Sequence, residues 1–467
     1  MARGSETGWT AIVSPRYFGA TVALCLGVAL LAFNGFLVST SIPTAVIELD
    51  GVAFISWATT VFLVFAIMGG AGASILKARL GARLALIAAA TVFIAGSVLA
   101  AAAGGMPELL VGRALQGLGE GIVAAICYAL IPELFPSALV PRVFGAESVI
   151  WALAAFGGPA LAGFLTETVS WRAAFMINLP LGATFIALTL RIVPNRATAG
   201  SADRLPLVRL VLIGAAIMAI SVAAILREPL LMALCLAFAG IGLVAIVRRD
   251  AGAKEKLFPT DAFRLHDTVG AGLWVVLLMP VAQAGVAVYL VYTLQSLWGF
   301  GPTLAGAIGA IMAVAWSAMA ILVSGVASVG SRQILIRLGP VLLALGLIAA
   351  TLAVARNALW LVIVGQVLLG FGYGTSAAYL NQTIMEAARP GERDRASVPT
   401  IQSAGYSIGA AIAGLVANMA GLAAAQSADS IREAMIVVFA SGIGVGFFAV
   451  LAAFITVRNA RRIPAAA

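Results

Sequence analysis

Stretches of about 20 apolar residues recur along the whole chain, each long enough to cross the ~30 Å hydrocarbon layer of a bilayer as a helix. They read as spans over 18–43, 52–76, 84–103, 107–132, 143–166, 172–192, 206–226, 229–248, 268–297, 303–327, 334–354, 357–384, 400–424 and 431–457. At about 22 residues each, these fourteen spans leave only short loops and two tails from 467 residues, so no extramembrane domain is expected. The chain is 62% apolar and 10% charged, with a mean hydropathy of +1.08, whereas a soluble domain runs near 45–50% and about 25%. That balance excludes a soluble globular protein, a disordered chain, a coiled coil and a nucleic-acid binder. The first run is too long and continuous to be a cleaved signal peptide. Cys25, Cys127 and Cys235 sit singly inside apolar runs, without pairing or metal spacing, and read as small core residues.

The net charge of +9 reports orientation. An even number of spans puts both termini on one side, together with 23 of the 28 lysines and arginines. Only Arg172, Arg227, Arg356 and Arg432 fall opposite, and Arg113 lies inside a span. Basic residues stay on the side where no translocation is needed. Both termini are therefore expected in the cytoplasm, with the protein multi-pass in the cell (inner) membrane and no nucleic acid needed to explain its charge.

Two polar stretches, Pro194–Arg204 and Arg248–Asp267, interrupt the pattern. They divide the chain into six spans (18–192), a two-span hairpin within 193–267, and six more spans (268–458). The six-span blocks read as internal repeats. Gly117, Gly119 and Gly121 of the fourth span align with Gly370, Gly372 and Gly374 of the twelfth, which sets Arg113 on Gln366 and Glu120 on Tyr373. Gly158–Gly163 of the fifth likewise lies over Gly409–Gly414 of the thirteenth. Duplicated halves are a common plan of secondary transporters.

Several short motifs resemble the major facilitator superfamily, in particular its fourteen-helix drug:proton antiporter branch. Ser74–Arg83 looks like a worn copy of the family's G-x-L-x-D-R-x-G-R-R loop: Arg79, Gly81 and Arg83 match, while Ser74, Ala78 and Ala82 depart from it. Arg113, Gln116, Gly117 and Gly119 match R-x-x-Q-G-x-G, and Gly158, Pro159 and Gly163 match the antiporter-associated G-P-x-x-G-G except at Ala162. Ser170-Trp171-Arg172 through Phe175, Asn178 and Pro180 is similar to the stretch entering the sixth span, and Tyr289 through Gln295 to Gly306 to the ninth-span pattern. Asn34 stands where many relatives carry an aspartate, so the resemblance does not carry their first-span proton or cation site over to this chain. The resemblance implies an all-α polytopic fold of two six-helix bundles plus the inserted hairpin. It also implies a conformational role for Arg79, Gly81, Arg83, Gly117, Gly158, Pro159 and Gly163.

No G-x-x-x-x-G-K-[ST] loop exists for direct ATP drive. The single histidine, His266, sits in a polar linker and excludes a histidine metal cluster and a His-based triad. No cofactor, metal or enzymatic nucleophile–base set is expected, so the drive is an ion gradient or the protein is passive. A charge at a helix centre costs roughly 2.5–3.5 kcal/mol on insertion scales and is seldom incidental. Glu120 lies mid-way along the fourth span, and Glu147 one turn into the fifth. Arg113 precedes Glu120 by seven residues, about 700° of rotation and about 10 Å of rise, so they share a face with Gln116. The alternatives are a structural lock between helices for Arg113 and Glu120, and an interfacial position for Glu147. Glu48, Glu133 and Glu386 read as solvated. Candidate cavity residues are Asn34, Gln116, Tyr289, Tyr292, Gln295, Trp316, Tyr373, Tyr379, Asn381, Gln402 and Tyr406, with Trp151 and Phe156 from the fifth span; each also serves as packing or an interfacial anchor.

The favoured reading is a monomeric, proton-coupled antiporter that exports small amphipathic, neutral or monocationic compounds, with Glu120 and Glu147 as proton sites and Arg113 as modulator. The same fold would serve an exporter of a metabolite or lipid, or a proton symporter; a membrane sensor or scaffold is the rival of another class. Cysteines introduced into 194–204 and 251–256 are expected to react with an impermeant reagent only from the cytoplasm, and labelling from outside overturns the topology.

Overall fold

The computed structural model describes residues 8–194, 207–252, 256–259, 261–389 and 398–461. Most of the first polar linker, 195–204, lies outside the described residues, as do Arg3, Arg196, Arg204, Lys254, Arg393, Arg395 and Arg462. The described chain is helical, with no strand. The helices are α1 (Trp9–Ile12), α2 (Phe18–Glu48), α3 (Ile55–Leu80), α4 (Ala82–Ala101), α5 (Met106–Leu134), α6 (Val140–Thr168), α7 (Trp171–Met176) and α8 (Asn178–Ile192). They continue as α9 (Leu207–Ala223), α10 (Pro229–Ala251), α11 (Thr268–Trp298), α12 (Pro302–Val323), α13 (Val329–Ala355), α14 (Leu359–Ala387), α15 (Val398–Met419) and α16 (Ala428–Ala460).

Among the described residues thirteen helical stretches, with α7 and α8 taken as one, are long and apolar enough to cross a membrane. The 17-residue α9 rises about 25 Å and is the fourteenth apolar helix. The expected sixth span is divided at Ile177. Pro180 has no N–H to give the Met176 carbonyl, so the helical ladder is interrupted there. Prolines elsewhere are absorbed: α6 continues through Pro159 and α11 through Pro280. Among the described residues, side chains cap three helices outright. Ser170 accepts from the Arg172 N–H, Asp267 from those of Val269 and Gly270, and Ser427 from that of Ser430.

The chain forms two compact units. One comprises Met1–Gly51, Val61–Leu205 and Gly301–Gly306; the other comprises Val52–Thr60, Pro206–Phe300 and Ala307–Ala467. In the first, α2 packs on α6 and α8, and α4 on α5, around Leu24, Leu86, Phe93, Ile126 and Phe185. In the second, α11 packs on α15 and α16, α13 on α14 and α16, and the α9–α10 hairpin lies against α15 through α9. Asn418 of α15 donates to the Ala224 carbonyl just beyond α9. Asp250 at the end of α10 is buried; it pairs with Arg209 of α9 and accepts the N–H groups of Leu257 and Phe258 at 2.8 Å.

The glycine triplets position both units in the same way. A Cβ on Gly117 or Gly121 of α5 would lie 2.1 Å from the Phe62 or Ala66 carbonyl oxygen of α3, and one on Gly119 would lie 2.4 Å from the Ala89 carbonyl oxygen of α4. In α14, Gly370 and Gly374 meet α12 at 2.3 Å from the Met312 and 2.5 Å from the Trp316 carbonyl oxygen, while Gly372 meets α13 at 2.8 Å from the Gly339 carbonyl oxygen. The sequence register between the fourth and twelfth spans is therefore a packing register. Each triplet brings its helix into backbone contact with two neighbours, as small residues do in membranes. Gly158 and Gly409, aligned in the same way, each meet the first helix of their own half, α2 and α11.

Replacing Gly121 or Gly374 by valine is expected to cost about 1–3 kcal/mol or more through overpacking and to abolish monodisperse protein in fluorescence-detected gel filtration. Gly35, with open space around it, should accept alanine; equal tolerance at all three positions contradicts the packing.

Candidate functional site

The first unit buries a polar network among apolar helices. Arg113, Gln116 and Glu120 come from α5, Asn34 from α2, Ser97 from α4 and Asn178 from α8, each at most 3% exposed. Asn34 is the hub. Its Nδ2 donates to Glu120 Oε2 at 2.8 Å, and its Oδ1 accepts from Asn178 Nδ2 at 3.1 Å and from Gln116 Nε2 at 3.4 Å. Gln116 Nε2 also reaches Ser97 Oγ at 2.8 Å, and Gln116 Oε1 accepts from Arg113 Nη1 at 2.7 Å. The Arg113 guanidinium lies 4.1 Å from the centroid of the Phe62 ring, a cation–π arrangement. Glu120 Oε1 has no hydrogen-bond partner among the described residues.

Helical spacing explains these contacts. Gln116 and Glu120 are one turn apart on α5, and Arg113 lies one turn earlier. Gly117, between them, brings α5 close to α3, where Phe62 covers Arg113. The resemblance left Asn34 as a missing acid; the structure places a carboxylate at hydrogen-bonding distance from it, carried by α5 instead of α2. Ser97 and the network role of Asn178 escaped the sequence reading. A lone serine in an apolar run also satisfies itself by bonding back to its own helix, and Ser97 does donate to the Phe93 carbonyl.

Glu147 of α6 is buried, and neither carboxyl oxygen has a hydrogen-bond partner among the described residues. It stands apart from the Asn34 network. Trp151 and Phe156 lie on the exposed side of α6, at 40% and 63% exposure. The acids read as solvated are mixed. Glu48 accepts from Trp171 Nε1 at 2.8 Å and pairs with Arg172 at 2.5 Å; Glu133 pairs with Lys77; Glu386 accepts from Gln382 at 2.7 Å on the surface. In the worn loop, Gly81 takes φ +80°, Arg83 Nε donates to the Val193 carbonyl at 2.6 Å, and Arg79 is exposed. The Lys77–Glu133 pair ties the ends of α3 and α5 beside the position where Ala78 replaces the family aspartate.

The second unit holds a separate cluster. Tyr406 donates to Gln283 Oε1 at 2.5 Å, Gln283 Nε2 points to the Met312 sulfur at 2.7 Å, and Trp316 stacks on Tyr373 at 4.8 Å between centroids. Tyr373, Asn381 and Gln402 share a small pocket with Met279 and Ser376. Tyr289 and Tyr292 are buried in α11. Gln295 is half-buried on the same helix. Tyr379 is used otherwise: its hydroxyl donates to the Val323 carbonyl, and Arg332 lies over its ring at 5.4 Å. Gln283 is the residue the sequence reading missed. An amide in the middle of a 31-residue apolar helix is costly to bury without a partner, and that signal was available.

The family profile of the Major Facilitator Superfamily matches residues 24–414. The chain belongs to the major facilitator superfamily. Across 98% of its length it is 30% identical to a probable multidrug-efflux transporter of Mycobacterium tuberculosis, 99% of which is covered. It is 25% identical to the multidrug transporter protein MdtP of Bacillus subtilis over 59% of this chain and 52% of that one. Among solved structures, a peptide transporter in complex with sulfate matches with a TM-score of 0.68 over 94% of this chain and 95% of its own, at 13% identity. A D-xylose-proton symporter matches with a TM-score of 0.61 over 92% and 97%, at 16% identity. These likenesses show the superfamily fold.

Asn34→Leu removes one donor and one acceptor from the hub, leaving Glu120 Oε2 and the Asn178 amide without partners. Each orphaned group is expected to cost about 1–3 kcal/mol, read as a lower unfolding temperature of the purified transporter; an unchanged transition shows that the network contributes nothing to the fold.

Proposed function

We propose that this superfamily transporter exports small amphipathic compounds, drugs among them, in exchange for protons. The observation that carries the reading is the buried Glu120, held by Asn34 on one oxygen and without a hydrogen-bond partner on the other. An ionised carboxylate is costly in a low-dielectric interior, and binding a proton removes that cost. Arg113 on the same helix favours the ionised form. A carboxyl between these opposing influences takes up a proton in one conformation and releases it in another. Glu147, buried with neither oxygen hydrogen-bonded, is the second proton site of this reading. The cycle alternates access from the two sides of the membrane. Both termini face the cytoplasm of the cell membrane, the working unit is the monomer, and the likeness to relatives named for multidrug efflux supports the direction.

The substrate class follows from charge. Two carboxylates and one permanently protonated guanidinium sum to −1, and protonating one acid brings the set to zero. Neutral and monocationic amphiphiles suit this balance of buried charge better than anions; within the second unit, the Trp316–Tyr373 stack offers aromatic faces worth roughly 0.5–2 kcal/mol to a desolvated cation.

Glu120→Gln keeps size and hydrogen bonding but cannot titrate. In proteoliposomes with an imposed pH gradient, the variant is expected to lose uphill accumulation of a monocationic dye, by tenfold or more, while retaining exchange down a gradient. Full uphill transport by Glu120→Gln removes it as the proton site.

A further inference from the structure

In the second unit α13 and α16 pack side by side, and two contacts fix their register at one end. Gln333 Oε1 of α13 accepts from Arg461 Nε just beyond α16 at 2.6 Å, and the Arg337 guanidinium of α13 lies 5.1 Å from the centroid of the Phe454 ring of α16. Gln333 and Arg337 are one turn apart, as are Phe454 and Arg458, and Arg461 follows Arg458 by three residues; each set shares a helix face. Arg337, Arg458 and Arg461 therefore line one groove. Among the described residues, none of the three has a carboxylate within 4.0 Å, and Arg337 has no hydrogen bond.

The setting of Arg337 is unusual for a cation. It lies eight residues into α13, about 12 Å along the helix, and its neighbours Ile334 (60%), Leu338 (37%), Leu451 (44%) and Phe454 (46%) present apolar surface outward. In a chain of this class that surface faces acyl chains. A guanidinium at that depth, with no carboxylate within 4.0 Å among the described residues and the Phe454 ring beside it, calls for an acceptor from the bilayer, because an uncompensated charge in a membrane is expensive. Basic pockets between transmembrane helices at the cytoplasmic end suit anionic head groups. A phosphodiester offers oxygens to the guanidinium forks, while its acyl chains cover Ile334, Leu338 and Phe454.

We propose that the groove between α13 and α16 is a binding site for an anionic phospholipid, whose head-group phosphate is held by Arg337, Arg458 and Arg461. This site is independent of the transport reading: it contains none of the Asn34 network and none of the Gln283–Tyr406 cluster.

The test uses the full-length protein in phosphatidylcholine vesicles with trace spin-labelled phosphatidylglycerol or spin-labelled phosphatidylcholine, reading the motionally restricted fraction of each label. The wild type is expected to favour the anionic lipid. Arg337→Gln should lower that preference about fivefold, the equivalent of the roughly 1 kcal/mol that one arginine contributes near a membrane surface. Arg332→Gln removes an equal charge from the same helix, but that side chain bonds to Val326 and Gln382; the variant should keep the preference. Equal losses in the two variants, or no preference in the wild type, overturn the site in favour of a diffuse surface field. Displacement of the labelled lipid by millimolar inorganic phosphate overturns it as well, since the groove then serves a soluble phosphate. The circular dichroism of each variant is recorded, and a variant with lost helicity is replaced by Arg458→Gln, for which the same fall is expected.

Discussion

Hydrocarbon offers a polypeptide backbone no hydrogen-bond partner, so each crossing segment must satisfy itself as a helix. Once that is done, water no longer drives helix against helix, because lipid tails are as apolar as leucine. What remains is close contact. The glycines of α5 and α14 provide it: with no side chain, the helix backbones approach to distances at which a Cβ would lie 2.1–2.8 Å from a neighbouring carbonyl oxygen. Gly117, Gly119 and Gly121 join α5 to both α3 and α4, and the equivalent triplet joins α14 to α12 and α13. Helix positions in each unit, and with them the side chains those helices carry, depend on these contacts.

The Asn34 network shows how such packing sets chemistry. Gly117 draws α5 against α3, which lays Phe62 over Arg113 and leaves Gln116 and Glu120 to meet Asn34, Ser97 and Asn178. Most polar atoms there find a partner, as buried polar groups must; among the described residues Glu120 Oε1 and Asn178 Oδ1 do not. The second unit lacks charge at the corresponding point. Gln366 and Tyr373 occupy the repeat positions of Arg113 and Glu120, and the polar contacts pass to Gln283 and Tyr406 on α11 and α15. The two units share this glycine packing and differ in their polar chemistry.

A similar division runs through the charged residues at the helix ends. Lys77–Glu133, Arg172–Glu48 and Asp250–Arg209 each join one element to another, whereas Arg337, Arg458 and Arg461 find no carboxylate among the described residues. Paired charges at the ends fasten helices to one another at modest net energy. The unpaired arginines beside apolar surface are the ones that call for a partner from outside the chain.

The sequence by itself determined the helical class, the number of apolar segments and the repeat, because hydrocarbon thickness and backbone hydrogen bonding leave an apolar 20-residue run one solution. It also marked Glu120, Glu147 and Arg113, since charge within such a run is conspicuous. It placed Arg113, Gln116 and Glu120 on one face by helical rotation alone. Only the tertiary structure decided which partners those side chains meet: that Asn34 holds Glu120, that Arg113 bonds to Gln116 beneath Phe62, that Tyr379 fastens to Val323, and that Gln283 is the amide joining α11 to Tyr406. Periodicity reports the direction of a side chain relative to its own helix axis, and a contact between residues 86 or 144 positions apart depends on rotations and offsets of several helices at once. The break at Ile177 was legible from Pro180, whose missing N–H is a local property; the hub at Asn34 was not, because an asparagine in an apolar run looks the same whether it bonds to its own helix or to two others.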